Sequence, residues 1–175
     1  MKHTHHQPVT HIRETRTWTD WIPLVVVFSY IAVLTVVTSV IGMSTPYAIT
    51  SYIMGYFFIL FSLFKLLDLP AFVAGYQEYD VIAKKRRQWG YIYPFIELAI
   101  GIFYVLVINS IVLHIMTILL SLIACISVLI KLAKRETFQC VCLGTVFKLP
   151  LTIVSLIEYA AMGIMAALML TGILG

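Results

Sequence analysis

The sequence predicts an all-α integral membrane protein: a helical bundle with about five transmembrane helices and a short interfacial helix between the second and third. Three observations carry this reading. Of 175 residues, 61% are hydrophobic and only 11% are charged, where soluble chains average roughly a quarter charged. The apolar residues gather in runs of about 20, the length that crosses a hydrocarbon core of about 30 Å. The basic residues collect in the connections between those runs.

The net charge of +4 raises nucleic acid as a partner. Trp89 and Tyr91 beside Lys84, Lys85, Arg86 and Arg87 have the look of a basic-aromatic patch. Cations flanking apolar spans, with aromatics at headgroup level, are the membrane pattern instead. The lipid bilayer is therefore the expected partner, and nucleic acid is not.

Residues 1–20 form a polar leader containing His3, His5, His6 and His11, and residues 21–175 form the bundle. The first span is expected over 21–42, anchored by Trp18 and Trp21 with Pro23 in its first turn. Its apolar run is too long for a signal-peptide core, so it is expected to stay in the mature chain. The second span, 47–67, follows a short turn at Gly42 to Pro46. In the link from Asp68 to Gly90, Leu69, Phe72, Val73 and Tyr76 recur at helical spacing, the pattern of a short amphipathic interfacial helix. The apolar region from Tyr91 to Leu132 is long enough for two spans, 91–108 and 111–132, with Asn109-Ser110 as its hairpin. The fifth span, 150–172, opens on Pro150, a residue suited to a first helical turn.

Orientation follows from the lysines and arginines. Lys2, Arg13 and Arg16 precede the first span. Lys65, Lys84, Lys85, Arg86 and Arg87 lie at the second link, and Lys131, Lys134, Arg135 and Lys148 at the fourth. With five spans, all twelve basic residues fall on one side. That side is expected to be cytoplasmic, placing the N-terminus inside and the C-terminus outside.

Ionisable side chains at membrane depth have a partner or a function. Glu97 is placed about one turn into the third span, with Gly101 and Tyr104 continuing its face. Glu158 lies about two turns into the fifth. Lys65 and Asp68, spaced i, i+3, are close enough to pair. These groups either satisfy one another inside the bundle, or Glu97 and Glu158 flank a cavity near the cysteine link as proton carriers or cation ligands. His114 is expected to be an interhelical hydrogen-bonder towards the outer end of the fourth span.

Three cysteines are present. Cys125, in "SLIACISVL", reads as a packing residue. Cys140 and Cys142, in "FQCVCLG", lie outside the apolar spans. A disulfide across so short a spacing is strained and easily reduced, which suits exchange chemistry. The same pair suits Cu(I) or, with further ligands, zinc, and His3, His5 and His6 could complete a metal site. Spacing alone leaves redox exchange and metal binding open. An aromatic-rich bundle could also host a quinone, although no quinone motif is visible.

Several stretches together resemble the MauE family of methylamine-utilisation membrane proteins, within a wider DoxX-like group. They are "FKLLDLPAF" (64–72), "YDVIAKK" (79–85), "YPFIELAIG" (93–101) and "CVCLGTVFKLPLTIVSLIE" (140–158). The resemblance implies a bacterial inner-membrane bundle tied to thiol–disulfide chemistry beside a thioredoxin-like or glutaredoxin-like protein. The outside that the C-terminus faces is then the periplasm. It assigns the redox or soft-metal role to Cys140 and Cys142. Glu97 and Glu158 match polar positions with no assigned role, and Tyr159 stands where the family pattern often carries an acid. A maturation partner for a periplasmic enzyme would show its thiols to the periplasm, whereas the charge distribution places them in the cytoplasm. The leading expectation is a redox accessory protein acting through a Cys140–Cys142 disulfide. The alternatives are a soft-metal handling component and a structural subunit, and the sequence leaves oligomeric state open.

Overall fold

The computed structural model describes residues 22–42, 44–80, 82–133 and 152–172. Among them are six helices and no strand: α1 (Ile22–Gly42), α2 (Pro46–Leu67), α3 (Leu69–Tyr79), α4 (Arg87–Val105), α5 (Ile111–Ala133) and α6 (Thr152–Leu170). The all-helical fold is the one the composition predicts.

Local chemistry fixes the ends. Thr45 caps α2, its hydroxyl accepting the Ala48 N–H at 3.3 Å, with Pro46 at the first helical position. Asp68 caps α3 by accepting the Ala71 N–H at 3.2 Å. The third expected span, 91–108, is helical over Arg87–Val105, so Glu97 sits mid-helix rather than one turn from the start. Pro94 is tolerated inside α4. The helix ends early because Val107 takes a left-handed conformation, φ 55°. There the Val107 N–H bonds Tyr104 O at 2.9 Å and the Ile108 N–H bonds Phe103 O at 3.2 Å. This is the closure usually made with glycine, and a β-branched residue in it carries about 1–2 kcal/mol of strain.

Two helix pairs organise the bundle. In the first, α2 meets α4 at Gly55 and Gly101. A Cβ on Gly55 would lie 2.6 Å from Val105 Cγ2 and 2.9 Å from Gly101 O, so only glycine allows this approach. In the second, α5 meets α6, with Gly163 against Ser121. Helix α1 packs on α2 alone among the described elements, and α3 lies against α2, α4 and α5.

The outer surface is apolar, with Val26, Val33, Val40, Phe103, Leu119, Leu122 and Ile164 all exposed. Such a surface is stable against lipid and not against water. Leu24–Gly42, Pro46–Leu67 and Ile111–Ile130 are long and apolar enough to cross a membrane. The apolar part of α6, Leu156–Leu170, is shorter, and α4 carries Arg87 and Glu97. The short helix expected between the second and third spans is present as α3. Its apolar face is turned into the protein, with Phe72 and Val73 at 0% exposure.

Candidate functional site

The interior of the bundle carries buried polar groups gathered in two places. The first lies where α2 ends and α4 begins. Lys65, 2% exposed, forms an ion pair with Glu97, 3% exposed, across the α2–α4 seam. Two aromatic faces cover the ammonium: its Nζ is 4.8 Å from the Tyr93 ring centroid and 5.7 Å from that of Phe72. Tyr76 stacks on both rings, at 5.1 Å from Phe72 and 5.0 Å from Tyr93.

From Tyr76 the network passes to Asp80, itself fully buried. The Tyr76 hydroxyl donates to Asp80 Oδ2 at 2.9 Å, and the Ser127 hydroxyl on α5 lies 3.3 Å from the same oxygen. The backbone N–H groups of Ile82 and Ala83 donate to Asp80 Oδ1 at 2.9 and 2.7 Å. The Tyr76 hydroxyl and two backbone N–H groups thus bond both oxygens of the carboxyl group, while the Ser127 hydroxyl, which donates to Ile123 O at 2.8 Å, lies alongside. Burial raises the Tyr76 phenol well above its ordinary value, and the charge of Asp80, the hydrogen bond to it and the charge of Glu97 push the same way. A phenol so placed keeps its proton while donating to one buried carboxylate in the field of another.

The second cluster lies towards the opposite end. His114, 1% exposed, has Nδ1 3.0 Å from the Tyr104 hydroxyl and Nε2 3.4 Å from both the Tyr47 hydroxyl and Asn109 Oδ1. Tyr104 also donates to Thr117 at 3.2 Å. His114 is thus the interhelical hydrogen-bonder the sequence suggested, tying α5 to α2 and α4.

Of the residues singled out from sequence, the structure brings Lys65 and Glu97 together. It corrects the expected partner of Lys65: that lysine pairs with Glu97, while Asp68 serves as the α3 cap. Glu97, Gly101 and Tyr104 share the buried face of α4 as expected. Glu158 is buried on α6. Cys125 is half-buried and lines a largely apolar groove of about 300 Å³ between α5 and α6. Cys140, Cys142, His3, His5 and His6 lie outside the described residues. Among the described residues, no three His, Cys, Asp or Glu side chains are grouped to hold a metal ion.

Sequence reasoning missed Tyr76, Tyr93, Asp80 and Ser127 as members of one network. A local signal for Asp80 did exist. An aspartate whose N–H neighbours two and three residues on are free to turn back is a common turn organiser.

The network also bears on the cysteines through chain order. The Ser127–Asp80 contact sets the C-terminal half of α5 beside the turn before α4. The chain therefore leaves α5 at the end that holds Asp80 and Tyr76. Cys140 and Cys142 follow α5 in sequence, ahead of α6. Compared with known families, residues 43–175 match the model described as "Methylamine utilisation protein MauE". The matched region begins after α1 and includes both cysteines. No curated protein and no solved structure matches the chain.

Proposed function

The chain belongs to the MauE family of methylamine utilisation proteins, and on that membership we propose a membrane accessory protein for methylamine utilisation whose Cys140–Cys142 pair exchanges a disulfide with a thioredoxin-like or glutaredoxin-like partner. The observation that carries this reading is the Cys-Val-Cys segment inside the matched region. In chain order it follows α5, whose C-terminal half contacts Asp80 through Ser127. Topologically the reading goes with five spans of a bacterial inner membrane and the basic residues in the cytoplasm.

The exchange balances without a further reactant. One thiolate attacks the partner's disulfide, and the partner's leaving sulfur departs as a thiolate that takes up a proton. The second cysteine of the pair, on losing its proton, attacks the mixed disulfide and releases the partner's other sulfur, which is protonated in turn. Two electrons and two protons pass to the partner, and the Cys140–Cys142 disulfide remains. Because the thiolate is the reactive form, the exchange also needs an acceptor for each thiol proton, a role for which the buried carboxylates Glu97 and Asp80 are the candidates.

The test is the reduction potential of the pair in the purified full chain, read by alkylation after equilibration in redox buffers. A reversible two-electron titration between roughly −270 and −120 mV, the range of thioredoxin-like proteins, is expected. A pair that stays reduced against strong oxidant overturns the reading. In that case, bound copper or zinc that disappears in Cys140→Ser/Cys142→Ser would reassign the pair to soft-metal handling.

A further inference from the structure

The exchange reaction makes no use of the turn between α3 and α4, where four consecutive cations, Lys84, Lys85, Arg86 and Arg87, are all exposed. Isolated surface lysines are ordinarily solvated and mobile. These four stand on a backbone fixed from beneath. Asp80 accepts the N–H groups of Ile82 and Ala83 at 2.9 and 2.7 Å, and Asp80 is held in turn by Tyr76 and Ser127. Backbone bonds from Lys84 to Asp80 O at 3.2 Å, Lys85 to Ile82 O at 3.0 Å and Arg86 to Ile82 O at 2.9 Å close the turn. Ala83, fully buried, anchors it in the core.

We propose that the Asp80-clamped turn is a binding site for the phosphodiester headgroup of an anionic phospholipid, with Lys84, Lys85, Arg86 and Arg87 as its ligands. The position argues for lipid as the source of the phosphate. The turn leads directly into α4, whose first residues include half-buried Trp89 and Tyr91, side chains that settle at headgroup level. Charge complementarity selects an anionic over a zwitterionic headgroup. Arginine adds planar, paired donors to phosphate oxygens where lysine adds point charge. The buried carboxylate keeps the turn from collapsing when the cations lose water.

The test titrates the full chain in neutral detergent with short-chain phosphatidylglycerol and with phosphatidylcholine of the same chain length. Tight, salt-sensitive binding of phosphatidylglycerol alone is expected, weakening roughly fivefold for each cation removed in Lys84→Gln/Lys85→Gln. The variant Arg13→Gln/Arg16→Gln loses the same charge elsewhere and should bind as wild type; equal weakening in both would overturn the site. Asp80→Ala separates the clamp from bulk attraction. It makes the protein more positive, so bulk attraction predicts tighter binding, whereas the clamped turn predicts weaker. Ser127→Ala, neutral in charge and also expected to weaken binding, replaces it if the Asp80 variant fails to fold. Unchanged or tighter binding in the folded clamp variant overturns the proposal. So does binding of sn-glycerol 1-phosphate as strong as that of the lipid, because the source would then be a soluble phosphate.

Discussion

Lys65 and Glu97, separated by 32 positions in the chain, form a buried ion pair that joins α2 to α4. Neither side chain reaches water, and the ammonium is further covered by the rings of Tyr93 and Phe72. An isolated charge at this depth would cost several kcal/mol. Each residue therefore depends on the other, and the seam between the helices depends on both.

Removing one partner, in Lys65→Ala or Glu97→Ala, is expected to destabilise the bundle by about 3–5 kcal/mol, because the remaining charge stays buried and uncompensated. The apolar double variant Lys65→Met/Glu97→Leu is expected to lose much less. Unfolding in mixed detergent micelles measures the cycle. Additive losses would mean that the two residues act separately.

Gly55→Ala is expected to push α2 and α4 apart. The new Cβ would meet Val105 N at 2.8 Å and Gly101 O at 2.9 Å, backbone atoms that cannot swing away. A loss of about 1–3 kcal/mol is expected. Gly163→Ala, whose Cβ would lie 3.2 Å from Ser121 Cβ, should cost less in the same assay.

Alkaline stability should report Tyr76. Its phenol is pushed well above the ordinary tyrosine range through burial, with Asp80 and then Glu97 adding to the rise. A raised folded value means the folded state holds the proton more tightly. The contribution is complete below pH 10 and is lost as pH climbs through the folded value. Thermal unfolding followed above pH 9 should therefore fall steeply in the wild type. Tyr76→Phe should start lower, lacking the bond to Asp80, and decline less over that interval.

Tyr104→Phe is expected to cost about 1–3 kcal/mol, since its fully buried hydroxyl serves both His114 and Thr117. Tyr47→Phe, which loses only a 3.4 Å contact to His114, should cost less. Equal losses would show that His114 relies on both phenols alike.

Cysteine labelling tests which compartment the exchange uses. With a membrane-impermeant thiol reagent, Cys140 and Cys142 should be modified in inverted vesicles and protected in intact cells. Labelling in intact cells would place the pair in the periplasm and overturn the orientation drawn from the basic residues.

Much of the architecture was legible because membrane helices announce themselves by length and hydropathy. The α4–α5 hairpin at Asn109-Ser110, the short helix α3 and the inward face of Glu97, Gly101 and Tyr104 all follow from local periodicity. The register of α4 was not legible. Apolar counting started it at Tyr91, but the turn organised by Asp80 begins the helix at Arg87. Its end was hidden too, because nothing in a valine signals that Val107 takes a positive φ.

By itself the sequence determined that this protein is a bundle of apolar helices, that its cations gather in the links, and that its one cysteine pair belongs to a MauE-like segment. Those properties are additive along a chain, so counting residues reveals them. Only the tertiary structure decided who partners whom. Spacing offered Asp68 to Lys65, because a helix repeat sees three or four residues ahead; packing of α2 on α4 supplied Glu97 instead. A carboxylate in a link reads as hydrated, yet α3 and α5 close over Asp80 and make it the anchor of a buried network. Burial is a property of the assembled helices, and it turns a scattered set of polar residues into one site.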